Sequence, residues 1–574
     1  MAFASPTTAQ RSGRAQLAVS ILLGFITSIL LDLCFPVAGP LRAWQPMLAW
    51  IALVPLFYAL LNERAAAQRG YLLRAALVAY LSGVLWYVLN CYWIYQTMLL
   101  YGNMPALGAA GMLFLFSAVL GLYFGLFGLL TAFFRRHLGL TAALILAPFL
   151  WTALELAAAR ITSVPWDQLG YSQIDNFLLT SFAPWTGVYG ITFVLVFVNA
   201  VVVASLISSH RMSAAILTAS WAAVVVGVGV IGMRSTPPPA STSATAVLLQ
   251  DNLSVDRDNS WVGQVYDRRT HSWVSIWNRN IDQFLTASEQ PCTPYYAGLP
   301  QTGLELRPPL GCSPKTPISL IAWPEAPSPF RGWDPRFTSA MAALTQLTGA
   351  TAVAGNIASG VVTGPAGVPA YTEYNSATVF APDGRQIGRY DKIHLVPFGE
   401  FVPYRKFFFF AHHLTQQLGD FGRGTRRFVF PIGSDKPGPA THSFGVFICY
   451  ESVFADEVRQ FALNGAQVLV NISDDGWYGD TSAPWQHLNM SRMRAVENRR
   501  WLLLDTNSGV TAAIDPYGRV TQSAPRHIFT SLAVQYGYRS DLTFYTRYGD
   551  LFAYLCGIVV VAAFALGLWR AGSR

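Results

Sequence analysis

The stretch Phe444-Gly445-Val446-Phe447-Ile448-Cys449-Tyr450-Glu451 is a short apolar run that ends on a cysteine, and a helix-like segment begins just beyond it, near Ser452. Such a run, bounded in this way, predicts a buried strand feeding a helix. Cys449 then stands at a strand-to-helix elbow. Amides at a helix N-terminus favour an anion, so a thiol placed there ionises more readily, and the amide of Tyr450 can face a developing oxyanion. A second reading is open, that of a small buried hydrophobe at a strand end. Free cysteine is among the most buried residue types, so the local sequence alone favours that blander reading.

Working outward, the flanking sequence repeats the pattern. Short apolar runs recur at Thr245–Leu249, Ile318–Trp323, Thr351–Gly355, Ser376–Ala381, Gln467–Ile472, Trp501–Asp505 and Val510–Ile514. Helix-like stretches near 263–286, 335–348, 452–464 and 485–499 lie among them. The alternation predicts an α/β domain. Asp383-Gly384 and Tyr517-Gly518 supply hairpin turns, so the sheet is expected to be mixed. Two further strand ends carry polar residues. Ile318–Trp323 runs into Pro324-Glu325, and Tyr390-Asp391-Lys392 closes a short hairpin strand. Singly, each is an ordinary solvated charge. Together with Cys449 they offer a base, a cation and a nucleophile from strand ends of one α/β domain, where such folds place their sites.

Upstream the composition changes solvent. Over 574 residues the chain is 52% hydrophobic and only 12% charged, about half the ~25% charge of soluble proteins. Apolar runs at about 17–35, 45–62, 72–98, 105–134, 139–159, 185–208 and 212–233 each suffice to cross a bilayer, and an eighth spans about 549–569. The first run is not expected to be a cleaved signal, because further spans follow at once and no small-residue cleavage site ends it. Arg11, Arg14, Arg64, Arg69, Arg74, Arg135, Arg136, Arg211, Arg570 and Arg574 fall on one side of these spans, against only Arg42 and Arg160 on the other. By the positive-inside rule both termini are cytoplasmic, and an odd number of spans delivers residues 234 to about 546 to the outer face. Thr236-Pro237-Pro238-Pro239-Ala240-Ser241 reads as a semi-rigid linker leaving the membrane. The expected divisions are therefore 1–234 for the first seven spans, 235–546 for the outer domain, and 547–574 for the last span and tail. The formal charge of +8 forms no basic patch interleaved with aromatics, so nucleic acid is not indicated as a partner. Six scattered cysteines, with no metal-type spacing, indicate neither a metal site nor a disulfide framework.

The blocks Trp323-Pro324-Glu325, Tyr390-Asp391-Lys392-Ile393-His394-Leu395-Val396-Pro397-Phe398-Gly399-Glu400 and Ile448-Cys449-Tyr450-Glu451 resemble the signature of the apolipoprotein N-acyltransferases, membrane members of the nitrilase superfamily. Further blocks agree: Trp166-Asp167-Gln168-Leu169-Gly170-Tyr171-Ser172-Gln173, Tyr374-Asn375, Trp477-Tyr478-Gly479, Trp485-Gln486-His487 and Arg492-Met493-Arg494-Ala495. The resemblance covers nearly the whole chain, and it is the joint occurrence of the blocks that is specific. It implies a membrane α-helical bundle of eight transmembrane helices plus an α/β nitrilase-like αββα sandwich. It also implies a catalytic triad of Glu325, Lys392 and Cys449, supported by Glu400, Tyr450, Glu451 and Asn375, with Trp261 lining the acyl pocket. No metal and no cofactor is implied. The implied partners are a phospholipid acyl donor, typically phosphatidylethanolamine giving its sn-1 chain, a diacylglyceryl-modified apolipoprotein acceptor, and the lipid bilayer. The implied location is the bacterial cytoplasmic (inner) membrane, with the catalytic domain periplasmic. Cys292 and Cys312 flank what looks like an insertion, and outside the membrane a disulfide between them is expected. Asp474 stands where the family more often has Asn. Phe407-Phe408-Phe409-Phe410 reads equally as a lipid-dipping lid or as core. The alternatives are a membrane-anchored nitrilase-type amidohydrolase, a transporter with a dead sensor domain, and a papain-like pairing of Cys449 with His394.

Overall fold

Along Ala244–Gln250 successive side chains part into two cores: Ala246 and Leu248 enter one, Val247 and Leu249 the other. The next strand, Ile318–Trp323, divides in the same way, Leu320 and Ala322 against Ile321 and Trp323. Period-two alternation with both faces apolar is what a sheet covered on both sides requires. The computed structural model describes residues 7–573 apart from 68, 208–218, 220–222, 224–225, 256–260, 268–270, 292–294, 298–304, 308–316, 326–329, 364–368, 402–420 and 434–441.

Two six-stranded mixed sheets form the α/β part of the chain. The first runs Thr530–Tyr536, Ala244–Gln250, Ile318–Trp323, Thr351–Thr363, Pro369–Phe380, Gln386–Asp391. The second runs Val429–Ile432, His442–Ile448, Val468–Ser473, Trp501–Thr506, Ala512–Ile514, Val520–Ser523. Parallel pairing is confined to the central strands of each. Helices Ile276–Glu289 and Pro335–Thr348 cover the first sheet through Trp277, Phe284, Phe337 and Met341. Ala455–Leu463 and Ala483–Asn498 follow strands of the second sheet and pack through Val458, Phe461 and Met493. The layering is helix, sheet, sheet, helix. Both expected hairpin turns occur, with Gly384 and Gly518 at positive φ.

Three expectations need revision. The stretch 263–286 is not one helix: Gln264–Asp267 and Ser272–Ser275 pair as a hairpin before the helix at Ile276, because Val265, Tyr266, Trp273 and Val274 suit a pleated surface. The edge strands Val429–Ile432, Val520–Ser523 and Thr530–Tyr536 are additional. The apolar run 45–62 breaks into Gln45–Leu48 and Val54–Leu61, each with a proline in its first turn. Buried Asn199 repairs the break by accepting from the Leu53 amide at 2.9 Å and donating to the Ala49 carbonyl at 3.0 Å. A broken helix is tolerated at membrane depth only when its freed backbone is satisfied in this way.

Among the described residues six helices are long and apolar enough to cross a membrane: Arg14–Asp32, Tyr71–Asn90, Ala106–Leu138, Leu140–Thr162, Val188–Ile207 and Leu551–Gly572. The run 212–233 falls largely outside the described residues. Outward-facing Leu73, Leu107, Phe114, Leu122, Ile558 and Val561 are exposed, as lipid-facing positions should be. Between Tyr71–Asn90 and Ala106–Leu138, Gly121 and Gly125 face Val84 and Tyr80 and allow the close approach that drives helix association in lipid. The linker at 236–241 is held by Arg519, which donates to the carbonyls of Pro237 and Pro238.

Candidate active site

Four of the predicted residues meet at one buried point. The Lys392 ammonium donates to Glu325 Oε1 at 2.9 Å and to Glu400 Oε1 at 3.0 Å. Asn375 Nδ2 bridges the same two oxygens at 2.6 and 2.7 Å. The second Glu325 oxygen accepts from the Asp474 amide at 2.9 Å, and the second Glu400 oxygen from the Val396 amide at 2.8 Å. Lys392 is only 1% exposed. Burial works against its charge, but Glu325 and Glu400, and beyond them Cys449, outweigh it and hold the ammonium well above its usual range. A buried ion cluster survives only when its hydrogen bonds are complete, and those of both carboxylates are filled.

Cys449 begins a tight helical turn, Cys449–Val453, at the end of strand His442–Ile448. Its φ of 51° is left-handed, rare for a residue with a Cβ and costing roughly 1–3 kcal/mol. The fold fixes this strain from both sides. Asn471 and His487 donate to the Cys449 carbonyl, at 3.3 and 3.2 Å. Glu451 reaches back to the Ile448 amide at 2.7 Å. The thiol is pushed well above its usual range by burial and by the Glu325 carboxylate, with Lys392 and a hydrogen bond from Ser473 pulling the other way. Burial thus disfavours the thiolate, and Lys392 offsets this only in part. Glu325 and Cys449 are joined through the strand end at 471–475, which bonds the Cys449 carbonyl at one point and the Glu325 carboxylate at another. Glu and Lys come from the first sheet and Cys from the second, so the site lies where the strand ends of both sheets converge.

The remaining predicted residues divide. Glu451 does not face the thiol: it takes hydrogen bonds from Tyr390 Oη and the amides of Ile393, His394 and Ile448, locking the Lys392 segment to the cysteine turn. Tyr450 turns to the membrane part, where its hydroxyl donates to the Ser163 carbonyl at 3.0 Å and its ring stacks on Trp166. Trp261 packs among Trp277, Phe284 and Phe330 in the core between the first sheet and its helices, a different core from the one that holds Cys449. His394 points Nε2 at Glu457 and stacks on Phe454, which removes it from a papain-like pairing. Cys292, Cys312 and Phe407–Phe410 lie outside the described residues. The sequence reading missed the support of the elbow. His487 links Asp475 Oδ1, at 3.0 Å, to Ser452 and the Cys449 carbonyl, and Asp475 raises its basicity against the opposing effect of burial. The block Trp485-Gln486-His487 was visible, but nothing in it says what a histidine on the helix after the next strand supports.

Beneath Tyr450 the loop Trp166–Gln173 closes the top of the helix bundle. Trp166 Nε1 donates to Gln486 at 2.9 Å, Gln486 to Asn90 at 3.0 Å, and Asn90 to Asp167 at 3.0 Å. On the membrane side of Trp166 lies an apolar cleft lined by Phe35, Trp86, Tyr87, Phe124 and Trp151.

Residues 27–201 match the family model for the apolipoprotein N-acyltransferase N-terminal domain, and residues 279–531 match carbon-nitrogen hydrolase. An apolipoprotein N-acyltransferase of Geobacter metallireducens is 31% identical, covering 95% of each chain. Another, of Ralstonia nicotianae, is 29% identical over 93% of this chain and 94% of its own. Among solved structures, Saccharomyces cerevisiae Nit3, of the nitrilase superfamily, superposes with a TM-score of 0.33 at 15% identity, covering 53% of this chain and 93% of that one.

Proposed function

The chain belongs to the apolipoprotein N-acyltransferase family, and from that premise we propose that Cys449 carries an acyl group, as a thioester, from a phospholipid to the N-terminal amine of a diacylglyceryl-cysteine apolipoprotein. The enzyme is a membrane N-acyltransferase acting on lipoproteins. The mechanism is supported by the buried Glu325–Lys392–Glu400–Asn375 cluster, with Cys449, on a strained backbone, close enough for its charge to act on Lys392. In the first half-reaction Glu325 takes the thiol proton as sulfur attacks the ester carbonyl of the donor. The Lys392 ammonium and the Tyr450 amide stabilise the oxyanion. The lysophospholipid leaves as an alkoxide and receives the proton from Glu325. In the second half-reaction the acceptor's α-amine attacks the thioester, Glu325 takes the amine proton, and the thiolate departs and is reprotonated. Glu400 and Asn375 keep Lys392 charged and aimed. Trp261 remains a candidate for contact with the acyl chain.

The finer topology belongs to the same proposal: eight spans, termini cytoplasmic, residues 235–546 periplasmic in a bacterial inner membrane, with 1–234 and 547–574 as the membrane parts. One contact supports it. Arg160, one of the two arginines on the sparse side, pairs with Asp456 of the outer domain and with Asp550 at the start of the last long helix. Phosphatidylethanolamine is the proposed donor. A pulse-chase tests the transfer step: acyl-enzyme formed from phosphatidylethanolamine is isolated and given either buffer or a diacylglyceryl-cysteine peptide. The peptide should discharge it as an amide much faster than water does. Equal discharge by water would instead establish the amidohydrolase alternative.

A further inference from the structure

The loop Phe421-Gly422-Arg423-Gly424 is pressed onto the strand end that carries Lys392. The Gly424 amide donates to the Lys392 carbonyl at 2.8 Å, the Gly422 amide to the Glu373 carbonyl at 2.7 Å, and the Phe421 amide to the Glu400 carbonyl at 3.2 Å. Both glycines are required by close approach. A Cβ on Gly424 would collide with the Asp391 backbone oxygen, and one on Gly422 would stand 2.7 Å from the Tyr374 ring. Between them Arg423 is exposed, with its guanidinium over the Phe401 ring at 4.7 Å from the centroid. Neighbouring cations are spent: Arg427 is paired with Glu457, and Arg389 with Asp391. Arg423 and the equally exposed Arg426 meet no carboxylate among the described residues.

A guanidinium held over an aromatic ring spends none of its N–H groups on a hydrogen bond to that ring's edge, and its fork of N–H donors matches a phosphate oxygen pair. We propose that Arg423, with Arg426 beside it, binds the phosphodiester of the acyl donor and so sets which ester reaches Cys449. The inference rests on the phospholipid-donor reading above. In a glycerophospholipid the phosphate is a few bonds from the acyl esters, and the loop that presents Arg423 is bonded to the backbones of Lys392 and Glu400. Headgroup capture and oxyanion stabilisation are thereby built on one rigid segment.

The test measures acyl-enzyme formation by the full-length protein in phosphate-free detergent, as a function of phosphatidylethanolamine mole fraction. Arg423→Ala should raise the half-saturating mole fraction about tenfold while leaving the saturating rate intact. Arg423→Lys should recover part of the shift. Alkylation of Cys449 by iodoacetamide should proceed at the wild-type rate in both variants, which a merely structural defect would not allow. An unchanged half-saturation, or a fall in saturating rate accompanied by altered alkylation, overturns the site while leaving the donor reading standing. A shift seen only in phospholipid nanodiscs assigns Arg423 to neighbouring lipids and also overturns it. A wild type that forms no acyl-enzyme at any mole fraction removes the donor reading, and the site with it.

Discussion

Lys392 is the residue on which the charges of the site balance, since two carboxylates share one ammonium and Asn375 bridges what is left over. Glu325→Gln keeps the shape and removes the base, so acyl-enzyme formation should fall by roughly 10²–10⁴. Lys392→Met removes an oxyanion donor and leaves two buried carboxylates facing each other; single-turnover rates should drop by at least about 10². Behind Glu325 a second group of buried acids meets no cation among the described residues. Asp474 and Asp505 are driven well above the usual carboxylate range, Asp474 by burial and the Glu325 charge, Asp505 by burial and Asp251. Burial pushes Asp251 up to about 8, and its Oδ1 accepts no hydrogen bond. A folded-state value above the unfolded ~3.9 means that the folded protein binds the extra proton. The stability it permits is full below that unfolded value and is lost as pH climbs towards 8. Asp251→Asn should therefore raise the melting temperature more at pH 8 than at pH 5, and equal gains at the two would contradict the assignment. At this scale the sequence was most informative about Glu325, Lys392, Glu400 and Asn375, which the structure brings together, because their blocks, weak singly, occur jointly. It was nearly silent on Asp475, His487 and Asn471, whose work is to hold a backbone carbonyl.

The elements show why. Mostly apolar strands such as Ile318–Trp323 were legible to the residue, because burial on both faces from Leu320 to Trp323 keeps that run apolar, Ser319 at its partly exposed start apart. Edge strands such as Val520–Ser523, with the pattern of a solvated surface, were not. The cysteine turn looked like the first turn of a helix, but the helix starts only at Ala455, after a separate tight turn closed by Glu451. That turn is held from below by Arg494, which is fully buried. It donates to the Val453 carbonyl at 3.1 Å and to Tyr171 Oη at 2.9 Å, and pairs with buried Glu497 at 2.8 Å. Glu497 in turn accepts from the Val188 amide, the first residue of a membrane helix. Arg494→Met strands that carboxylate, so the protein should lose about 3–5 kcal/mol of stability, read as a lower melting temperature in detergent. Breaking the pair should also slow acylation, because the same arginine steadies the turn that strains Cys449.

For the whole molecule, one apolar core runs from the membrane helices into the sandwich, and the loop at 163–173 and the cysteine turn share its junction. Hydropathy located most of the spans, but it read the proline-broken stretch at 45–62 as continuous, since Asn199 repairs that break from a distant helix. The orientation is checked by placing single cysteines at Arg64 and at Trp273 and labelling intact spheroplasts with an impermeant maleimide. Only the Trp273 position should label, and labelling at Arg64 would invert the topology. If the acyl donor and acceptor are both lipid-anchored, as proposed, a carbon-nitrogen hydrolase domain joined to apolar helices on either side of it in sequence suits them. The central claim is that Cys449 becomes the acyl carrier, and intact mass spectrometry of the purified protein after incubation with phosphatidylethanolamine addresses it directly. Wild type should gain the mass of one acyl group, removable by hydroxylamine, and Cys449→Ala should gain nothing. No gain in wild type, or the same gain in both, would contradict the account.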